Sequence, residues 1–216
     1  MSGRLQETGL EGLYASAPEP LPFAPSLHIR AFILRRDDGN LLVYSVTGLA
    51  SHAGALDELG GVQRQYLNHW HEAMFVGDGF EVPLYVHEND REQTAERRSV
   101  AATFSDRHTL AGDFEVIPAP GHTAGATAYL WDSGRHRVLF TGDTIYVSNG
   151  EWVAAVLESS DRAAYADSLE LIRELDFDVL VPWAATAGDP YYAVTAPGDR
   201  RRRIDAVLER VRRGRS

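Results

Sequence analysis

The run Asp113-Phe114-Glu115-Val116-Ile117-Pro118-Ala119-Pro120-Gly121-His122-Thr123-Ala124-Gly125 couples a strand-like segment to a loop that cannot extend it. Two prolines and a glycine stop a hydrogen-bonded ladder there, and the histidine follows directly. Downstream, Ala126 to Trp131 and Arg137 to Thr141 flank Asp132-Ser133-Gly134, which reads as a hairpin. Its return strand ends at Gly142-Asp143. Upstream, Val62 to Leu67 reads as a short strand delivering Asn68-His69-Trp70-His71. Strand-end loops are where sheet-based enzymes build sites, so these four polar side chains belong to one expectation.

The rest of the chain alternates the same two element types. His28 to Leu34 and Leu41 to Val46 flank the turn dipeptide Asp38-Gly39, a second hairpin. A short helix is expected over Ala53 to Leu59, stopped by Gly60-Gly61. Glu81 to His87 and Asp178 to Pro182 read as strands. Asp161 can cap a helix in which Tyr165, Leu169 and Ile172 share a face. The last helix places Ile204, Val207, Leu208 and Val211 at i, i+3, i+4 and i+7.

The composition is that of an ordinary folded domain. Of 216 residues, 44% are hydrophobic and 24% charged, which excludes a disordered or collagen-like chain. A length of 216 fits one domain spanning 1–216, with 199–216 as a basic tail. There is no cysteine, so disulfides, thiolate nucleophiles and iron–sulfur clusters are excluded. Any metal must be held by His, Asp or Glu. Met1 to Leu10 has no basic stretch leading into an apolar run, and no window approaches 18 apolar residues. A cytoplasmic protein away from membranes is expected. The net charge is −10, unevenly spread. Residues 199–216 hold eight Arg against three acids, a local +5, which leaves −15 on the rest. An acidic body repels nucleic acid; Arg200 to Arg203 alone point the other way, and a solvated helix start is the simpler reading of them.

Two imidazoles at a spacing of two can grip one ion, and imidazole suits zinc, iron, nickel or copper. The spacing alone is weak, since two half-buried histidines around a packed Trp70 give the same pattern. His122 after Pro-Gly and Asp143 after an apolar strand sharpen it. His87, at a strand end, reads better as a structural polar residue. His28, His52, His108 and His136 have no partner pattern.

Taken in order, His69-Trp70-His71-Glu72-Ala73-Met74, Pro120-Gly121-His122-Thr123-Ala124-Gly125, Thr141-Gly142-Asp143-Thr144 and Val181-Pro182-Trp183-Ala184 make the sequence resemble the metallo-β-lactamase superfamily. The resemblance runs from about Leu21 to Trp183. It implies an αββα sandwich, two mixed β-sheets packed between helices. It also implies that His69, His71 and His122 hold one divalent ion, zinc with iron or manganese as alternatives, and that Asp143 is the bridging acid. Where the family's second metal site has Asp, His and a last His, this chain has Ala73, Met74 and Ala184.

These residues leave two functions open. One is a hydrolase with at most one metal, acting on a small ester, thioester or lactone, with Asp143 holding or orienting water. Glu72 is the only other acid in the first loop and is a weaker candidate for that work. The other is a non-catalytic member of the fold, metal-free or with a structural ion, binding a small molecule or a protein. A closed His₃Asp set would favour a structural ion, and the loss of a general base and a second Lewis acid weakens catalysis. Trp70, Met74, Phe75, Trp152 and Trp183 are candidates for an apolar wall around the altered corner, though core packing is the simpler reading of them. The apolar face of the last helix fits either its own body or a second copy.

Overall fold

Along Thr127–Asp132 and Arg137–Gly142 successive apolar side chains enter opposite cores, as a strand's period of two requires. Tyr129, Trp131, Val138 and Phe140 pack on one side, and Ala128, Leu130 and Leu139 on the other. Such a sheet is buried on both faces and needs a layer against each. The computed structural model, which describes residues 4–77 and 79–215, supplies both layers. Met1 and Ser216, the ends of the expected domain and tail, lie outside the described residues.

The first layer is a second large sheet. Its strands, in spatial order, are Gln6–Glu7, Leu13–Ala15, Phe32–Leu34, Leu41–Val43, Arg64–Tyr66, Leu84–His87 and Ala102–Phe104. Phe32, Tyr44 and Tyr66 from this side meet Phe114, Tyr129 and Phe140 from the other, with ring centroids 5.1–6.0 Å apart. The second layer is a helix pair, α3 (Arg162–Glu174) and α4 (Pro197–Arg212). Two shorter helices, α1 (Ala53–Glu58) and α2 (Arg91–Ala95), precede them in the chain. Asp161 caps α3 by accepting from the N–H groups of Ala163 and Ala164 at 2.9 and 3.1 Å. Tyr165, Leu169 and Ile172 of α3 and Ile204, Val207, Leu208 and Val211 of α4 are buried in the second core. The apolar face of α4 thus packs on its own body.

The sheet carrying the hairpin has the order His108–Leu110, Phe114–Pro118, Thr127–Asp132, Arg137–Gly142, Val179–Pro182, Ala193–Val194. A third, five-stranded sheet of short strands includes Glu19–Leu21, Ala24–Ile29, Tyr146–Ser148 and Ala184–Thr186. The expected strand His28 to Leu34 is therefore two strands in two sheets. Ile29 pairs with Ala184, and Phe32 begins a separate pairing with Val43. The expected turn at Asp38-Gly39 is present, with Gly39 at φ +92°.

The basic run is largely neutralised. The Arg200 guanidinium is buried and donates to the Phe177 carbonyl. Arg201 pairs with Glu174 at 3.2 Å, Arg203 with Asp199 at 2.8 Å, and Arg202 also pairs with Asp199. Among the described residues no helix is long and apolar enough to cross a membrane.

Candidate metal centre

Leu41–Val43, Arg64–Tyr66, Leu84–His87 and Ala102–Phe104 run parallel, so their carboxyl ends lie on one edge. Arg137–Gly142 and Val179–Pro182 are likewise parallel in the other sheet. The residues that follow these strands, Tyr44, His69, Asp90, Asp143 and Trp183, meet there.

His69 is extended, at φ −156°, and caps a 3₁₀ turn over Trp70–Met74. With three residues per turn, position i+3 folds back over i. Glu72 is therefore carried to His69, its Oε1 3.1 Å from Nδ1, while Oε1 also accepts from the Asn68 N–H at 3.0 Å. Glu72 is fully enclosed and does not line the cavity described below. Glu72, the weaker catalytic candidate, therefore lies against the back of His69 and away from the cavity wall.

The His122 loop is fixed at both sides. Gly121 stands at φ +140° against the Tyr165 backbone, where a side chain would collide. Its carbonyl accepts from the Asp161 N–H at 3.0 Å, docking the loop on the start of α3. His122 Nδ1 lies 2.6 Å from the Ala155 carbonyl and so carries the proton, which leaves Nε2 as a lone pair. That Nε2 is 3.0 Å from His71 Nδ1. The ligand atoms of His69, His71 and His122 all lie within 4.8 Å of one another. Both ring nitrogens of His69 are buried without a hydrogen bond, facing Glu72 and Asp143 as ion-pair partners.

Asp143 completes the cluster, with Oδ2 3.5 Å from His69 Nε2 and 3.6 Å from His122 Nε2. Its loop is held by Tyr44. The Gly142 N–H donates to Tyr44 Oη at 2.8 Å, and that hydroxyl donates to the Val181 carbonyl at 2.7 Å. Tyr44 sits at φ +71°, a strained backbone of the kind that clusters at functional sites.

The charges follow from this packing. Burial works against a charged His69, but the Asp143 and Glu72 carboxylates overcome it and hold its pKa at about 10. Burial and then the neighbouring His69 charge push His71 to about 3 and His122 to about 4. Burial raises Glu72 to about 7 despite its contact with His69. Burial would raise Asp143 too, yet His69 and the other two imidazoles keep it below the ordinary carboxylate value. Two neutral imidazoles, a third that would give up its proton on binding, and an ionised carboxylate are the donor chemistry a borderline divalent ion takes. The residues fit such an ion, with His69, His71 and His122 as its holders. Glu72 and the Ala155 carbonyl are the partners that set the orientation of two of the ligands.

Asp90 was not singled out from the sequence. It is buried at the end of the turn following Leu84–His87 and ties the two histidine loops together. Oδ2 accepts from the Trp70 N–H at 3.0 Å and from Thr123 Oγ1 at 2.7 Å, and Oδ1 accepts from the Gly125 N–H at 2.8 Å. A Cβ at Gly125 would lie 2.6 Å from the Asp90 carboxyl carbon, which explains that glycine. Asp90 has no pattern of its own in sequence, because its partners lie 20 to 35 residues away.

His71, His122 and Asp143 open into a cavity of about 540 Å³. Met74, Phe75 and Trp183 line it; Trp70 and Trp152 do not. Trp70 packs tilted against the His71 ring, with centroids 4.0 Å apart, and Trp152 packs in the second core. Ala73 and Ala184 are buried, and Met74 is half exposed. Among the described residues, the cavity wall beyond the three site residues offers two polar side chains: Trp183, whose indole N–H donates to the Ser45 carbonyl at 2.9 Å, and Tyr146. Burial and then Asp143 raise its pKa, and among the described residues nothing hydrogen-bonds its hydroxyl. His87 caps a turn by accepting from the Asn89 N–H, a structural role.

The sequence model of the metallo-β-lactamase superfamily matches residues 52–184. The chain belongs to the metallo-β-lactamase superfamily. Solved structures share its fold at low identity. A metallo-β-lactamase from Pontibacter korlensis superposes with a TM-score of 0.70 at 15% identity, covering 97% of this chain and 99% of that one. The metallo-β-lactamase FIM-1 from Pseudomonas aeruginosa, solved in a mono-zinc form, gives 0.70 at 13% identity, covering 95% of each chain. ETHE1 from Myxococcus xanthus gives 0.60 at 19% identity, covering 84% of this chain and 80% of that one. No curated protein matches. At these identities the likeness carries the αββα fold, and the superfamily's habit of holding a divalent ion agrees with the donor set found here.

Proposed function

We propose that this superfamily member is a cytoplasmic hydrolase with one metal ion, acting on a small ester, thioester or lactone. The observation that carries the proposal is the convergence of His69, His71 and His122 beside Asp143, at the mouth of a cavity, with Ala73, Met74 and Ala184 offering no second ligand set. When bound, a divalent ion supplies Lewis-acid polarisation of a carbonyl and activation of water.

The chain's own groups do the rest. His122 and His69 are locked in orientation by the Ala155 carbonyl and by Glu72. Asp143 is held ionised and only slightly exposed, so its Oδ2 accepts a proton from an attacking water and fixes its direction. The Tyr146 hydroxyl is free to donate to the oxygen that gains charge as the carbonyl is attacked. The apolar wall excludes competing water. Small molecules are the expected substrates; the paired Arg200–Arg203 run does not favour nucleic acid.

A second reading, binding without turnover, is favoured by the apolar character of the corner at Met74 and Ala184. One experiment separates the two: protein loaded with zinc, manganese or iron is assayed against p-nitrophenyl esters, acyl thioesters and lactones, beside His122→Ala. Metal-dependent turnover abolished in the variant supports the hydrolase. Inertness with every metal overturns it in favour of the binding protein.

A further inference from the structure

We infer that the corner occupied by Met74, Phe75, Trp183 and Ala184 is an acyl pocket, selecting substrates that carry an uncharged aliphatic or aryl group next to the scissile carbonyl. This rests on the hydrolase reading and goes beyond it in naming the substrate class.

Among the described residues four large hydrophobic side chains stand exposed: Phe23 at 75%, Val194 at 63%, Met74 at 44% and Leu157 at 42%. Three of the four, Phe23, Met74 and Leu157, line the same cavity as His71, His122 and Asp143. Exposed large apolar groups carry a hydration cost, and their gathering at one opening marks a binding surface. They come from three separate parts of the chain: the turn between Glu19–Leu21 and Ala24–Ile29, the 3₁₀ turn after His69, and the loop before Asp161. Nothing local in sequence brings them together.

Depth orders the cavity. The His122 side chain is 1% exposed and that of Asp143 19%, so the reactive groups are its floor and the exposed trio its rim. A substrate whose carbonyl reaches the floor must leave its remaining atoms against Met74, Phe75, Trp183 and the rim. Among the described residues Asp143 is the only carboxylate on the wall, and no Arg lines it. A charged substituent on that side therefore finds no partner and is desolvated at a loss. The volume of about 540 Å³ falls within the range of pockets that enclose a ligand of moderate size, larger than an acetyl group requires.

The occupant is thus the acyl arm of the substrate, and the signature is chain-length dependence. Each methylene taken into the pocket contributes about 0.8 kcal/mol, which is roughly a fourfold rise in kcat/KM. The test uses two readouts on the full-length protein. Zinc-loaded enzyme is assayed with p-nitrophenyl esters from acetate to decanoate. Separately, N-phenyl-1-naphthylamine, a neutral apolar fluorophore, is titrated into wild type and into Phe23→Ser/Leu157→Ser, whose changes lie on exposed positions and leave the core intact. The expected result is kcat/KM climbing roughly fourfold per methylene over several carbons, with probe affinity falling at least about threefold in the variant.

A flat ester series, with probe binding unchanged in the variant, overturns the acyl pocket while leaving the hydrolase standing. No turnover of any ester, with probe binding that the variant weakens, overturns the hydrolase and leaves the apolar pocket. A wild-type dimer in light scattering that the variant converts to monomer, with no probe bound, assigns the rim to a second copy and overturns the pocket.

Discussion

Asp90 gives the sharpest test of how the site is assembled. Its carboxylate accepts three hydrogen bonds from two loops: Trp70 N–H and Thr123 Oγ1 on Oδ2, Gly125 N–H on Oδ1. In Asp90→Asn the shape is retained, but one oxygen becomes an NH₂ group. Turned either way, that group faces a backbone N–H, from Gly125 or from Trp70. The variant loses the charge on the acceptor and leaves at least one buried donor unsatisfied. A bond to a charged acceptor is worth about 1.5–3 kcal/mol, and an unsatisfied buried group costs about 1–3 kcal/mol. We expect a net loss of about 3 kcal/mol. For a chain of this length each kcal/mol moves Tm by about 2–4 °C, so metal-free Asp90→Asn melts about 6–12 °C below wild type. Both histidine loops hang on this carboxylate, so zinc affinity falls as well, by about 10- to 100-fold, the usual effect of losing a supporting group. Circular-dichroism melting and competition with a chromophoric chelator measure the two effects. A Tm within about 2 °C of wild type, with zinc affinity within about twofold, refutes the reasoning.

Tyr146→Phe removes a hydroxyl that no described group engages, so Tm stays put while kcat/KM on the best ester falls about 10- to 100-fold; equal rates exclude Tyr146 from the reaction. Metal-free protein loses stability on acidification below about pH 6. His71 and His122 stay neutral in the fold, at about 3 and about 4, while the unfolded chain protonates them near 6.5, so the unfolded state binds more protons as pH falls. Glu72, raised from 4.5 to about 7, and His69, raised from 6.5 to about 10, act oppositely, so the net loss sets in only below about pH 6 and is about 1 kcal/mol per pH unit between pH 6 and 5. Urea unfolding at pH 6, 5.5 and 5 measures this, and stability that rises over that interval contradicts it. Gly142→Ala places a side chain at φ +54° into the Asn68 amide, and about 2–4 kcal/mol of unfolding free energy should disappear in the same assay. An unchanged urea midpoint would show that the Gly142 loop relaxes freely.

The parts legible in sequence are those whose cause is local. The alternation in Thr127–Asp132 and Arg137–Gly142, the spacing of Tyr165, Leu169 and Ile172, and the Asp161 cap each depend on residues within a few positions, and each element lies within a residue or two of its expectation. The grouping of His69, His71 and His122 is legible through the resemblance of their motifs to the metallo-β-lactamase superfamily, since the spacing of His69 and His71 alone is weak. What sequence misses is set at a distance. The 3₁₀ turn at Trp70–Met74 carries too few residues to show a period, and it decides that Glu72 backs His69 instead of facing the cavity. The short strands Tyr146–Ser148 and Ala184–Thr186 are invisible for the same reason, and they carry Tyr146 and Ala184 into the cavity wall. Asp90 and Tyr44 act on partners up to 35 and 137 residues away. The break of His28 to Leu34 into two strands follows from pairing with Ala184–Thr186, again a distant partner.

The central claim is that three imidazoles beside Asp143 hold one ion and that the Ala73, Met74 and Ala184 corner holds none. Inductively coupled plasma mass spectrometry of untagged protein, purified without chelator and saturated with zinc before desalting, tests it directly beside His122→Ala. The account predicts one zinc per chain in wild type and almost none in the variant. Two zinc ions per chain, or none in wild type, would contradict it.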